Sequence, residues 1–202
     1  PIQHRIPPAV SGEANTLTIE SEVQAFLTQR CLEVAPLRAS KVEYTHSHFT
    51  IPKKDTGKFR HVINMRKGNE FVRKTHFKME TIDQVRFLIN RGDWCIKIDI
   101  QSAFTHVGIW RPHRDFFRIR WRHVTYRFRA MPFGYRDAPR IFTVIMKAAL
   151  KPLRALGLRC IAYLDDILLL ANTRELAVAH GQLLVNHLHK LGFFLHPGKC
   201  VL

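Results

Sequence analysis

The stretch Ile161-Ala-Tyr-Leu-Asp-Asp-Ile-Leu-Leu-Leu170 decides how the rest of the chain is read. Two adjacent carboxylates, Asp165 and Asp166, interrupt a run of apolar residues. Each flank has the length of a buried strand, and the pair between them suits the tip of a β-turn-β hairpin. Carboxylates in so apolar a setting cost several kcal/mol unless something compensates them, and two like charges side by side also repel. A bound divalent cation removes both penalties at once.

Asp99 occupies a similar place. Trp94, Ile96, Ile98 and Ile100 alternate with Cys95, Lys97 and Asp99, which is the period of a half-buried strand. A neighbouring strand would bring Asp99 beside Asp165. Hard carboxylate oxygens from two strands are what Mg²⁺ accepts, with phosphate and water completing the octahedron. Two such ions lower the barrier to in-line phosphoryl transfer. Spacing alone leaves a second reading open, in which Asp165 and Asp166 mark a solvated hairpin tip.

The basic residues tip the balance towards the first. The chain has 202 residues and a formal charge of +16, which implies a polyanionic partner, with nucleic acid first. Nine Lys or Arg and only two acids lie between Ile51 and Lys78, and nine Arg and two Asp between Arg111 and Arg140. The second cluster interleaves with Phe116, Phe117, Trp121, Tyr126 and Phe128. Basic strands with aromatics suit a nucleic-acid track, although a charged face with apolar residues alternating into a core gives the same pattern.

Composition sets the outer limits. With 46% hydrophobic and 24% charged residues the usage is that of a globular domain, not a disordered tail. No run of about 18 apolar residues is available to span a membrane, and no basic-then-apolar leader is visible. Cys31, Cys95, Cys160 and Cys200 fit neither a CxxC motif nor a zinc module, so reduced and mostly buried thiols are expected. The pairs His46/His48 and His187/His189 read as surface or packing residues.

Along the chain, residues 1–17 read as an irregular arm. A helix is expected from a Thr18 cap, with Ile19, Val23, Phe26, Leu27, Cys31 and Val34 on its apolar face and Pro36 as the stop. A hairpin follows at 46–65 around a turn at Lys54-Asp55-Thr56-Gly57. Thr81 caps a short helix, and Phe116 to Phe128 form a second hairpin. Asp137 caps a long helix that carries Ile141, Ile145, Ala148 and Ala149 and stops at Gly157. A last helix runs from Thr173 to about Leu191. Strands and helices mix without strict alternation, so the class is α+β.

The motifs together resemble those of reverse transcriptases. Tyr163-Leu-Asp-Asp166 resembles the family's YxDD box. Ile98-Asp99-Ile-Gln-Ser-Ala-Phe104 resembles its first catalytic box. Met131-Pro-Phe-Gly-Tyr-Arg-Asp-Ala-Pro-Arg-Ile-Phe142 resembles the box that follows. Lys53-Lys-Asp-Thr-Gly-Lys-Phe-Arg60, with Asn64-Met-Arg66 and Asn69, resembles the fingers hairpin. Four boxes in the family's order and at its separations cover residues 18–202. Finer features resemble the DIRS-like tyrosine-recombinase retrotransposons: Phe77-Lys-Met-Glu-Thr81, Gly92-Asp-Trp94, His113-Arg114, Ala138-Pro-Arg140 and Leu191-Gly-Phe193. LTR retrotransposons come next.

The resemblance implies a right-hand polymerase, with an arm at 1–17, fingers at 18–93, a first catalytic palm strand at 94–110, a connection at 111–140 and the palm again at 141–202. It implies that Asp99, Asp165 and Asp166 form the catalytic cluster, with Asp99, Asp165 and the Ile100 carbonyl holding two Mg²⁺ ions, for which Mn²⁺ can substitute. Lys53 and Arg60 would contact the triphosphate. Ala103, Phe104, Phe133 and Gly134 would line the nucleotide pocket, with Phe104 excluding a 2′-hydroxyl. Tyr163 and Arg136 would meet primer and template, and Lys199 would act as a general acid near the pyrophosphate. The expected partners are an RNA or DNA template, a primer strand and deoxynucleoside triphosphates, and the expected location is the cytoplasm or nucleus. Met131 stands where the family usually has Leu, and Tyr135-Arg136-Asp137 departs from its common pattern. The start at Pro1 and the end at Leu202 suggest a piece of a longer polyprotein, with a thumb and ribonuclease H region expected downstream. A catalytically silent nucleic-acid-binding scaffold of the same fold is the alternative reading.

Overall fold

The computed structural model describes residues 13–36, 44–52, 59–198 and 200. The turn at 54–57, Lys53 and Lys199 lie outside them. The chain divides into two compact units. The first is built from residues 1–74 and 107–138, the second from 75–106 and 139–202. Residues 75–93, placed with the fingers from the sequence, cluster with the second unit, and 107–110 with the first.

The first unit opens with α1 (Glu13–Thr28), followed by β1 (Leu32–Val34), β2 (Ser47–Pro52), β3 (Phe59–Asn64) and the short α2 (Arg66–Glu70). The helix therefore begins before Thr18 and stops well short of Pro36. It ends where Arg30 takes a φ of 56°, which breaks the helical ladder. Cys31 and Val34, expected on its apolar face, lie beyond it, and Leu32–Val34 pairs instead as an edge strand. Three residues are too few to show a period of two, and the pairing partner lies about ninety positions away in the sequence. β5 (Arg118–Trp121) and β6 (Val124–Phe128) form the second hairpin of this unit and are joined by Arg122 and His123, both at positive φ. That is the type I′ geometry matching strand twist. The three-stranded sheet has the order β1-β6-β5 and β2 pairs with β3. Ile19, Val23, Leu32, Ile63, Met65, Ile119 and Phe128 form the core.

The second unit contains α3 (Ile82–Leu88), β4 (Trp94–Asp99), α4 (Ala138–Ala155), β7 (Arg159–Tyr163), β8 (Asp166–Ala171) and α5 (Arg174–Lys190). The intervening β5 (Arg118–Trp121) and β6 (Val124–Phe128) belong to the first unit. Thr81 caps α3 in a reciprocal capping box with Gln84, and the Thr173 hydroxyl accepts the Leu176 N–H at the start of α5. The sheet is antiparallel, in the order β4-β8-β7, and α5 packs on β4 and β8. Gly181 permits the close approach, since a Cβ there would lie 2.8 Å from Ile96 Cδ1.

The long helix buries a different stripe from the expected one. Phe142, Met146, Leu150 and Leu153 are buried, while Ile141, Ile145 and Ala149 are only half-buried and Ala148 is exposed. Both stripes have helical spacing. Aromatic and long side chains win the core because they remove more apolar area from water. Phe142 packs edge-on against Phe104 at 5.8 Å and Phe193 at 6.2 Å.

Candidate active site

The site in the second unit starts from the β7-turn-β8 hairpin. Tyr163 pairs with Asp166, which leaves Leu164 and Asp165 as a two-residue turn. Leu164 has a φ of 53°. Positive φ at the first turn position alone is the type II′ pattern, which ordinarily takes glycine. A leucine there holds backbone strain of about 1–3 kcal/mol at the point where the acidic pair is displayed.

β4 brings the third carboxylate. Its antiparallel register with β8 sets Asp99 opposite Asp166. One residue further on, the Ile100 N–H donates to the Asp165 carbonyl at 2.8 Å. On its other edge this strand end is braced by the segment after α5. The Gln101 N–H donates to Phe194 O and the His196 N–H to Asp99 O, each at 2.8 Å. That bridge leaves the backbone polar groups of Ile100 facing the Asp165 side. The tip of one hairpin and the end of a neighbouring strand thus hold Asp99, Ile100, Asp165 and Asp166 together. Asp99 is buried, Asp165 exposed and Asp166 half-buried. Tyr163 is exposed beside them.

Lys97 lies on the same face of β4 as Asp99, two residues back. Its ammonium stands 3.0 Å from Asp166 Oδ1, an oxygen shut off from solvent. Asp166 above all, then Asp99 and Asp165, hold the Lys97 ammonium above the ordinary lysine range. One lysine therefore sits in the field of three carboxylates. Lys97 went unnoticed in the sequence because a lysine alternating with isoleucines reads as an ordinary solvent-facing strand position.

The hairpin is held from outside by residues that sequence reasoning also missed. Glu80 takes a bidentate hydrogen bond from Arg154 at 2.8 and 2.7 Å and also accepts the Ala162 N–H at 2.8 Å. Arg154 in turn donates to Cys160 O. The outer edge of β7 is thereby covered. Burial pushes the Glu80 carboxyl up, but Arg154 and the Ala162 amide outweigh it and hold it below the usual range. At the other end of β7, Arg159 donates to both oxygens of Asp93 at 2.7 Å. The signal for these pairs was present only as acids and arginines isolated among apolar residues.

Ala103 and Phe104 lie on a 3₁₀ turn, Ala103–His106, and both are buried. His106 Nε2 accepts the Phe194 N–H at 3.0 Å, so the proton sits on Nδ1, 3.2 Å from Ala103 O. This clasp ties the turn that carries Phe104 to the segment bracing Asp99.

Among the described residues, the remaining expected site residues belong to the first unit. Arg60 lies on β3. Phe133 is exposed. Gly134 has a φ of 91°, and a Cβ there would lie 2.9 Å from Ile63 O, so local packing alone requires glycine. Asn69 binds the same loop twice, donating to Gly134 O at 2.8 Å and accepting the Arg136 N–H at 2.9 Å. The Arg136 guanidinium donates to Val72 O.

The arginine-rich stretch is largely committed to structure. Arg118 is buried against Asp115 at 2.8 Å, and Asp115 also meets Arg127 at 3.2 Å. Glu33 on β1 takes Arg127 at 2.7 Å, Arg114 at 3.3 Å and Arg129 at 3.6 Å, which holds its carboxyl below the usual range against the upward push of burial. Arg122 pairs with Glu20. Five of the arginines read as a nucleic-acid track thus have carboxylate partners inside the unit. His46 and His48 are packing residues, as expected, donating to Phe116 O and Arg120 O at 2.9 Å. The cysteines are free, with Cys31 and Cys160 buried but Cys95 and Cys200 exposed. None of the described helices is long and apolar enough to cross a membrane.

Comparison with known proteins agrees with this geometry. Residues 51–202, three quarters of the chain, match the family model described as reverse transcriptase (RNA-dependent DNA polymerase). The retrovirus-related Pol polyprotein from transposon 297 of Drosophila melanogaster is 26% identical over 193 residues, covering 94% of this chain and 18% of that protein. The genome polyprotein of Petunia vein clearing virus is 30% identical over 149 residues, covering 72% of this chain and 7% of that protein. The chain therefore spans less than a fifth of these relatives. Among solved structures, the foamy viral protease-reverse transcriptase in complex with double-stranded DNA superposes with a TM-score of 0.80 at 18% identity, covering 95% of this chain and 32% of that one. The native prototype foamy virus protease-reverse transcriptase gives 0.79 at 19% identity, covering 94% and 24%. These structures share the α+β fold of reverse transcriptase fingers and palm. The relatives point to retrovirus-related transposons and plant viruses, and they lend no support to the DIRS-like subgroup that the finer motifs suggested.

Proposed function

The chain belongs to the reverse transcriptase (RNA-dependent DNA polymerase) family, and from that premise we propose that it is the fingers and palm of an active RNA-directed DNA polymerase from a retroelement Pol polyprotein. The observation that carries the reading is the register that sets Asp99 opposite Asp166, with the Ile100 N–H on the Asp165 carbonyl. Nothing in the packing of β4 and β8 requires three carboxylates at one end of an otherwise apolar ladder, and like charges directly opposite are destabilising.

In this reading the first unit supplies the fingers and the second the palm. The reaction joins the primer 3′-oxygen to the α-phosphorus of a deoxynucleoside triphosphate. The bond from that phosphorus to the bridging oxygen breaks, and pyrophosphate leaves. The donor set fits Mg²⁺, since it is made of hard oxygens in a field that already draws in an ammonium. Among the described residues no three His, Cys, Asp or Glu side chains form a metal cage, as is usual for an ion that keeps waters and substrate oxygens. Asp99, Asp165 and the Ile100 carbonyl would hold the two ions. When bound, the ions would favour deprotonation of the 3′-hydroxyl and offset charge on the phosphate oxygens.

The protein's own groups do the rest. Phe104, clasped through His106 and packed on Phe142, forms a rigid floor that excludes a 2′-hydroxyl. Tyr163, exposed beside the turn, supports the primer end. Arg60 and Lys53 bind the triphosphate and offset the charge of the departing pyrophosphate. Phe133 and Gly134 border the nucleotide, Arg136 meets the template, and Lys199 protonates the leaving group.

Primer extension on poly(rA)·oligo(dT) with Mg²⁺ tests this, using the wild-type chain, a C-terminally longer form, Asp99→Asn and Asp165→Asn. Incorporation by either wild-type form, lost in both mutants, is expected. Incorporation retained by either mutant overturns the site. Silence from both wild-type forms, with tight nucleic-acid binding kept, moves the assignment to the scaffold reading.

A further inference from the structure

We infer that Lys97 is a built-in counter-ion that occupies Asp166, keeps it out of the metal's coordination shell and thereby sets how tightly the site takes a divalent cation. The inference rests on the reading of Asp99 and Asp165 as cation-binding carboxylates. It answers a question which that reading leaves open, namely what the third acid does.

The geometry makes the division of labour. β4 and β8 place Asp99 and Asp166 directly opposite each other. Lys97 is two residues before Asp99 and so projects from the same face. It is diagonal to Asp166 across the ladder, a separation that a long side chain can span. Its ammonium reaches Asp166 Oδ1 at 3.0 Å, the oxygen that is closed to solvent. Both side chains remain about half exposed, at 49% and 47%, so the pair can respond to an arriving ion. Asp165, at the turn, is the exposed member of the cluster. A cation approaching the tip therefore finds Asp165 open and Asp166 engaged by a positive charge that also repels it. Lys97 is a positioning residue in this account, acting through Asp166 and not on substrate.

The test is metal binding to the whole chain without nucleic acid, read by Tb³⁺ luminescence sensitised by Tyr163 and by Mn²⁺ titration followed with electron paramagnetic resonance. Lys97→Met is expected to bind about three- to tenfold more tightly than wild type, the scale of removing one nearby charge at a partly exposed site. Lys97→Arg should restore wild-type affinity. Asp166→Asn should change affinity little in the wild-type background and weaken it clearly in Lys97→Met, and this non-additivity is the signature of the pair. Circular dichroism confirms that each variant is folded.

Equal affinity of wild type and Lys97→Met overturns the inference, as does an additive double mutant. If Asp99→Asn binds as well as wild type, the carboxylate reading itself fails, which is a different outcome. A Lys97→Met that binds metal as wild type does but loses affinity for a deoxynucleoside triphosphate would show that the lysine serves phosphate and not Asp166.

Discussion

The two units each gather charge, and they finish the task differently. In the first, Arg118, Asp115, Arg127, Glu33 and Arg114 form an alternating chain in which each group has a partner of opposite sign within 3.3 Å. In the second, three carboxylates gather at one strand end, where a half-exposed lysine pairs with Asp166 and lies in the field of Asp99 and Asp165. A buried charge with partners and hydrogen bonds is structural, and removing one member leaves the rest stranded. A like-charge cluster gathered at the end of an apolar ladder costs stability and is kept for what it binds. Arginine content alone pointed to nucleic acid in the first unit. The pairing shows that much of it serves the fold.

The widest separation between the two clusters is expected from paired substitutions. Asp99→Asn should lower nucleotide incorporation by on the order of 10²–10³-fold or more, while leaving the urea midpoint unchanged or raised, because a like charge opposite Asp166 is removed. A loss of the fold in Asp99→Asn would break the contrast. Arg118→Met should do the reverse and destabilise by about 3 kcal/mol in equilibrium denaturation, since it leaves Asp115 short of its closest partner. An Arg118→Met protein that is stable but fails to bind nucleic acid would return this arginine to the track.

Gly134→Ala sharpens the comparison at the backbone level. With φ at 91° and the Ile63 carbonyl 2.9 Å from the new Cβ, the variant should lose about 1–3 kcal/mol of stability. A variant with full stability but a raised KM would instead give Gly134 a direct role in nucleotide binding.

Acid should weaken the first unit through its histidines. His48 Nε2 donates to Arg120 O, so its Nδ1 accepts from His61 Nε2 at 2.9 Å. Burial, with the neighbouring His48 adding to it, pushes His61 from 6.5 to about 4, and burial lowers His48 and His46 as well. Groups depressed in the folded state bind protons first when unfolded. Their contribution is therefore complete above pH 6.5 and is lost as the pH falls towards 4, by ~1.4 kcal/mol per pH unit for each proton excluded. Hydrogen exchange resolved by residue should show protection falling at His61 and His48 over that window, and a flat profile would contradict the buried pair. The smallest effect is expected at the turn. Leu164→Gly relieves positive φ but loosens the unfolded chain, so thermal denaturation should change by less than about 1 kcal/mol.

Local pattern made the period-2 strand ending at Asp99, the hairpin around Asp165 and Asp166, the Thr81 and Thr173 helix caps and the order of the four boxes legible from the sequence. Each depends on a few consecutive residues whose backbone preferences agree. The stop of α1 at Thr28, the buried stripe of α4, the commitment of the arginines to Glu33 and Asp115, the Glu80 brace on β7 and the Lys97–Asp166 pair were decided by the tertiary structure. Each of these depends on which partner a strand register or helix rotation presents, from positions about seventy to ninety residues away for most of them. A sequence can name an acid as isolated. Only the packed sheet determines whether a cation already stands beside it.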